Sequence, residues 1–345
     1  MIIKSNTQNE LEDPLKEKAL PLFAKKLNIN HFSPTQFAIP DGNWLFKYLV
    51  LTQEERRALP SNSQMKAGVA VNNVLQKHLA DTIWKFGPQR KLTPMANQEK
   101  NKDKQEIIHA ELQEFRNHIA NDDKDQAKKE KYQDEIFAVC NHGFSALEKL
   151  GVATTYPITC EEQISITQEV SSLFLSVVGR TDFTFGGVRE KEGVISAPTP
   201  AGIIEIKTQW SKVGKIKKSG ERSFISLSAP ATPSYNHLIQ CAMYAAYWNY
   251  EVPVYLIYLN KNDYKIFDSS NCSGLTVEGL KKNFQNMITV FKRREKLLSQ
   301  YENLDPQQII ENTVQMIDPM FDHPYCWHGI GEENLLKAKK LWNVI

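Results

Sequence analysis

Midway along the chain the spacing of apolar residues changes from a helical to a β period, and that change sets the class of fold. Met65 to Phe86 carries Val71, Val74, Leu75, Leu79, Ile83 and Trp84 close to helical spacing, which predicts a helix with one core face. Further on, residues 163–169 (QISITQE), 172–185 (SLFLSVVGRTDFTF) and 201–208 (AGIIEIKT) are rich in Val, Ile, Phe and Thr and are separated by turn residues. Three consecutive strands are expected there. A helix is then expected at 235–249, a strand pair around a turn at Asn260 to Asp263, and a long basic amphipathic helix from about Thr276 to Tyr301. No repeat or low-complexity linker divides this series, so it reads as one α/β domain with a central mixed sheet flanked by helices.

The flanks read differently. Residues 1–64 mix short helical runs with Pro and Asn, and Ser33, Pro34 and Thr35 have the chemistry of a helix start, which predicts an N-terminal helical lobe. Residues 98–135 are dense in Lys, Asp, Glu and Gln, with apolar punctuation at Ile107, Ile108, Leu112, Phe115 and Ile119. This predicts a solvent-exposed helical pair inserted before a core helix at 136–150 that Gly151 caps. Residues 303–345 form a C-terminal extension.

A 41% apolar and 24% charged composition excludes disorder throughout. No apolar run is long enough for a membrane span or a secretion signal, so a soluble, cytoplasmic protein without membrane partners is expected. The five cysteines (Cys140, Cys160, Cys241, Cys272, Cys326) are odd in number and never form a CxxC pair, which argues against a disulfide framework, a four-cysteine zinc site and an iron–sulfur cluster. His323, Cys326 and His328 in FDHPYCWHGI have a superficially metal-like spacing, for which loop packing is the simpler account. A net charge of +2 means that any polyanion must be held by local patches.

The chemistry concentrates in IIEIKT. Alternation along a strand puts Glu205 and Lys207 on one side and Ile204 and Ile206 on the other. A carboxylate and an ammonium buried among isoleucines cost several kcal/mol unless paired or metal-bound. A hairpin would bring the carboxylate of Asp182, in GRTDFTF, beside that of Glu205. Two such oxygens, with the backbone carbonyl of Ile206, are hard ligands suited to Mg²⁺ or Mn²⁺. Phosphodiester cleavage can use that arrangement, with Lys207 orienting the attacking water or neutralising charge on the phosphate.

Four motifs follow in order: Gly68-Val-Ala-Val-Asn72-Asn-Val-Leu75-Gln76, Gly179-Arg-Thr-Asp182, Glu205-Ile-Lys207 and Gln240-Cys-Ala-Met-Tyr244. Over roughly residues 65–270 the chain resembles the PD-(D/E)XK nuclease superfamily, specifically its RecB-like exonuclease branch with the QxxxY motif. The resemblance implies a restriction-endonuclease-like core over 65–302. It also implies catalytic Asp182, Glu205 and Lys207, and Gln240 and Tyr244 as substrate-binding residues one helical turn apart. The sequence departs from the pattern at Asn72, where the branch that binds metal through histidine has His, and at Gln76, where Glu is frequent. Asn72 or Glu162 is then the candidate for a further metal ligand.

Substrate would be held by Lys212, Lys215, Lys217, Lys218 and Arg222 in the basic loop after the ExK strand, with Trp210 and Tyr235 flanking it for stacking on bases. Six basic residues between Lys281 and Leu297 make a second patch. The expected activity is a metal-dependent DNA exonuclease of recombination, repair or phage genome processing, acting in the host cytoplasm if phage-encoded. Its expected partners are single- or double-stranded DNA ends and a single-strand-binding or recombination protein. An endonuclease or junction resolvase on the same fold, and a DNA-binding module without turnover, are the alternatives.

Overall fold

The structure is a computed structural model and describes residues 20–86, 92–152, 158–186, 189–191, 194–196, 200–220, 222–323, 326–327 and 329–345. In chain order the first elements are Leu22–Leu27 (α1), His31–Phe32 (β1), Asp41–Leu45 (α2), Gln53–Arg57 (α3), Ser63–Leu79 (α4), Thr82–Phe86 (β2), Leu92–Ala96 (β3), Lys104–Arg116 (α5) and Asp123–Lys149 (α6). The middle of the chain holds Ile158–Ile166 (β4), Gln168–Ser171 (α7), Ser176–Phe185 (β5), Arg189–Lys191 (β6), Val194–Ser196 (β7), Gly202–Thr208 (β8), Lys212–Ile216 (β9) and Arg222–Ile225 (β10). Tyr235–Tyr247 (α8), Val254–Leu259 (β11), Tyr264–Phe267 (β12), Val277–Ser299 (α9), Pro306–Val314 (α10) and Glu332–Leu341 (α11) complete it. Among the described residues no helix is long and apolar enough to cross a membrane.

The chain divides into two compact units. One comprises Ser61–Ile164 and Arg180–Leu280, and the other residues 20–60, Ser165–Gly179 and Lys281–Ile345.

The first unit is mixed α/β, with its strands in the order β12-β11-β8-β5-β4-β2-β3. β8 pairs parallel with β11, Val254 opposite Ile203 through Leu259 opposite Thr208, and antiparallel with β5, Phe183 opposite Ile204 and Phe185 opposite Gly202. Ile204, Ile206, Ile257 and Leu259 pack with Val71, Val74 and Leu75 of α4 and Ile136 and Val139 of α6 in one core. Full burial of such side chains stabilises by about 1.5–3 kcal/mol each. Two glycines set the helix spacing. A Cβ on Gly143 would sit 2.9 Å from both methyls of Leu75, and one on Gly68 would sit 3.1 Å from Thr208 Oγ1.

α4 begins where Asn62 accepts a hydrogen bond from the N–H of Met65, and ends where Asn97 donates to the carbonyls of Gln76, Lys77 and Ala80. The helix expected to run to Phe86 therefore stops at Leu79. Residues 82–86 are a strand instead, paired through Thr82 and Ile83 with Thr159 and Cys160 of β4. The charged stretch 98–135 also differs from expectation. Ile107, Ile108, Leu112 and Phe115 are buried against α4, and α6 runs without a break from Asp123 to Lys149, so these helices are part of the core. Buried Asp125 fastens the start of α6 to that of α4, accepting from the N–H of Ser63 at 3.0 Å.

In the second unit β1 pairs in parallel with the opening residues of β5, His31 opposite Ser176. Phe32 stacks on Phe291 at 4.4 Å. Residues 172–175, expected as strand, are not. Glu295 accepts the N–H groups of Phe174 and Leu175 at 3.0 and 2.7 Å, which removes them from any ladder. The Arg294 guanidinium, 1% exposed, lies 4.7 Å from the Trp44 ring centre. It donates to Asp41 and to the carbonyls of Gln36 and Ile39 at 3.0, 3.0 and 2.6 Å. Arg294 is thus a core group and leaves the basic patch expected on this helix. Cys326 and Trp327 are buried with Phe46 and Leu51, and His328 lies outside the described residues.

Candidate active site

The ladder between β5 and β8 runs from Phe185 opposite Gly202 to Phe183 opposite Ile204, and next to it a side chain takes over. Asp182 Oδ2 accepts the N–H of Ile206 at 2.7 Å, so its carboxylate fills the fork between the strands. One residue along, Glu205 is 2% exposed and forms an ion pair with Lys207. The strand alternation holds, with Ile204 and Ile206 in the core against α4 and α6. Glu205 lies beside α8, where burial first and its negative charge next raise the Cys241 thiol and the Tyr244 phenol well above their usual values. Asp182, Glu205 and Lys207 therefore share one cluster.

Its electrostatics follow from burial. Burial, and then the neighbouring Glu205 charge, push the Asp182 carboxyl well above the usual carboxylate range. For Lys207, burial pulls downward, but the Glu205 and Asp182 carboxylates outweigh it and hold the ammonium charged. Two buried acids facing one amine are short of positive charge.

A third carboxylate joins the cluster, and it is not the expected one. Glu162 accepts hydrogen bonds from Thr159 and Thr184 at 3.2 and 3.1 Å, which occupies it away from Asp182. Its neighbour Glu161 is the acid beside the site. Asn72 Nδ2 bridges Glu161 Oε1 and Asp182 Oδ1 at 3.4 and 3.3 Å, Gln76 donates to Glu161 at 2.9 Å, and Arg180 pairs with it at 3.3 Å. Glu161 has φ 52°, a left-handed backbone inside β4. Glu161 pairs with Arg180 while Glu162 accepts from Thr184, so the two adjacent glutamates both reach the Arg180–Asp182–Thr184 side of β5. Strict alternation offers no signal for this, because it assigns adjacent glutamates to opposite faces.

The remaining expected residues separate into two groups. Tyr244 is 1% exposed and donates to the Arg180 carbonyl at 2.7 Å, so it fixes the β5 backbone next to Asp182 and does not reach substrate. Gln240, one turn earlier, is half-buried. Trp210 is 2% exposed, packs on Tyr132 at 5.0 Å and donates to Thr208, which corrects its expected role as a stacking surface. The following Ser211 is bound on both sides by Glu135, to its N–H at 3.2 Å and its hydroxyl at 2.5 Å, and this anchors the basic segment. That segment is a hairpin, β9 with β10, rather than a loop. Lys212, Lys215, Lys217 and Lys218 are exposed on it, and Arg222 is half-buried.

Asp182 and Lys207 open onto a cleft of about 1080 Å³ that Asn72, Lys212 and His237 also line. His237 shares a 2.7 Å hydrogen bond with the Tyr258 hydroxyl. Burial, helped by the Lys207 charge, lowers its pKa from 6.5 to about 4, so the imidazole is neutral at pH 7. Between those values the unfolded chain binds a proton that the folded chain refuses, and stability is lost as pH falls from about 6.5 towards 4. Urea denaturation at pH 7 and 4.5 is expected to show this loss, and His237→Gln to reduce it. An unchanged pH dependence in the variant would remove His237 as the cause.

Among the described residues no group of three or more His, Cys, Asp or Glu has the arrangement of a complete metal site. Two buried oxygens in the cluster nonetheless have no hydrogen-bond partner among the described residues, Glu205 Oε2 and Asn72 Oδ1. Unpaired buried acceptors cost about 1–3 kcal/mol each, more when charged, and are a common mark of an ion or water binding there. Hard oxygen donors of this kind fit a Mg²⁺-like cation, with Asp182 and Glu205 as the anionic pair. No family model and no curated protein matches the chain.

Proposed function

We propose that the chain is a metal-dependent deoxyribonuclease of the PD-(D/E)XK type, with a restriction-endonuclease-like core, acting as an exonuclease on DNA ends. The observation that carries this reading is the convergence of Asp182, Glu205 and Lys207 at the fork of β5 and β8, where Asp182 stands in for a missing ladder partner. The RecB-like motif order supports it, and so does the exposed lysine hairpin that begins four residues after Glu205 and Lys207 end their strand at Thr208.

Asp182, Glu205 and the Ile206 carbonyl would hold Mg²⁺ or Mn²⁺, with Asn72 as a neutral donor. Bound there, such an ion supplies charge neutralisation at the scissile phosphate and acidifies water. Lys207 keeps its proton between the two carboxylates and presents a fixed positive charge at the cleft, where it orients a water or offsets charge building on the phosphate. Tyr244 holds the strand carrying Asp182, and neutral His237 presents no competing cation.

End-labelled linear single- and double-stranded DNA should be degraded from its ends with Mg²⁺ or Mn²⁺ and left intact in EDTA, as read on a gel. Cleavage of closed circular DNA would indicate an endonuclease or junction resolvase instead. A second reading has its own observation. Asn72 turns its amide N–H to Asp182 and Glu161 at the position where the motif has histidine, which suits a scaffold that binds DNA without turnover. Binding without metal-stimulated cleavage on the same gel would favour it.

A further inference from the structure

Met65 and Val69 are 61% and 55% exposed although they stand on α4, a helix whose other apolar residues are mostly buried. Single exposed apolar side chains are ordinary. These two are one turn apart, so their side chains are neighbours, and both line the cleft that opens on Asp182 and Lys207. The same cleft is lined by Lys124 and Lys128, also one turn apart, on the first turns of α6, and by Lys212 of the hairpin. Among the described residues none of these three lysines has an ion-pair partner. Asp125, between the first two, points inward to Ser63 and Asn121, so it does not neutralise them. The cleft thus offers an apolar pair together with ammonium groups that are unpaired among the described residues, beside the candidate site.

We propose that α4 and α6 form a nucleic-acid subsite in which Lys124, Lys128 and Lys212 bind successive phosphates of one DNA strand while Met65 and Val69 receive the face of an unstacked base. Charge complementarity selects a polyanion. The apolar pair selects one that also carries flat apolar faces, which single-stranded nucleic acid has and a bare polyphosphate lacks. Val69 lies within the first of the motifs behind the nuclease reading and Lys212 in the basic segment that reading assigns to substrate, whereas Met65, Lys124 and Lys128 belong to neither. The subsite rests on that reading only for its choice of DNA as ligand.

The test measures binding by fluorescence anisotropy, in EDTA, of a dye-labelled single-stranded DNA oligonucleotide over a range of salt. Lys124→Ala/Lys128→Ala is expected to shallow the slope of log affinity against log salt by about 1.4, at about 0.7 per lost phosphate contact on a single strand. Met65→Ala/Val69→Ala is expected to weaken binding roughly tenfold with the slope unchanged, the order of loss for removing about two buried methylene-sized contacts. It should have no effect on a sugar–phosphate strand lacking bases. Thermal melts of both variants establish that they fold. An unchanged slope in the lysine variant, equal weakening of intact and baseless strands in the apolar variant, or no oligonucleotide binding by the wild-type chain would each overturn the subsite. Because no cleavage is needed, the two readings fail separately. Salt and base signatures in a protein that never cuts DNA sink the nuclease and leave the subsite, whereas metal-dependent cutting without them does the reverse.

Discussion

Lys207→Ala should lower metal-dependent DNA cleavage by at least about 10²–10³-fold, the size of effect seen when a preorganised charge-stabilising group is removed from an active site. The reason lies in the charge balance around it. Lys207 is the ammonium paired with buried Glu205, and the nearby Asp182 is already pushed towards its protonated form by burial and by Glu205. Without the amine the two acids repel each other uncompensated, and Asp182 takes up a proton more readily still. Lys207→Arg should recover little, because a planar fork cannot occupy the place of a compact ammonium. Oligonucleotide binding in EDTA should change only a few-fold, since the phosphate contacts assigned to Lys124, Lys128 and Lys212 persist. Single-turnover kinetics on a labelled strand, beside anisotropy, separate the two quantities. Turnover retained in Lys207→Ala would remove the role assigned to it.

The largest stability effect should come from the other unit. Arg294→Ala is expected to cost about 3–5 kcal/mol, as when one partner of a buried ion pair is deleted. The guanidinium serves Asp41 and two backbone carbonyls at once while covering the Trp44 ring. Burial depresses its pKa to about 10 although Asp41 pulls the other way, which is the signature of a charge held in place by its partners. Lysine would reach one of these acceptors and strand the rest, so Arg294→Lys should restore less than half of the loss. Equilibrium urea denaturation reads both variants, and a change under 1 kcal/mol in Arg294→Ala would show that the network contributes little.

Much of the Asp182–Glu205–Lys207 cluster was legible because strand alternation is a strong rule when charges interrupt a run of isoleucines. IIEIKT could be placed, and its polar face assigned, from residue order alone. Elsewhere the deciding partner lay far off in sequence. Ile83 and Trp84 continue the helical spacing of Leu75 and Leu79, and what turns them into a strand is Asn97 closing the helix end and β4 offering a neighbour. Leu173 to Leu175 have strand composition, yet Ser171 takes the amide of Leu173 and a glutamate on α9 captures those of Phe174 and Leu175. The high charge of residues 98–135 hid the fact that Ile107, Ile108, Leu112 and Phe115 make a single buried stripe. Trp210 looked like a ligand-facing ring because lysines surround it in sequence, but the hairpin lysines are exposed while Trp210, just before the hairpin, turns in against Tyr132. Glu161 was missed beside the expected Glu162 because strict alternation puts the two on opposite faces, and its left-handed torsion is encoded by no pattern of residue types.

That torsion carries a cost. An L-residue in the left-handed region is disfavoured by roughly 1–2 kcal/mol, a penalty glycine escapes. Glu161→Gly would relieve it and at the same time remove the carboxylate that Asn72, Gln76 and Arg180 hold. Position 161 is therefore where raising the chain's heat tolerance and keeping the charge of this cluster pull in opposite directions.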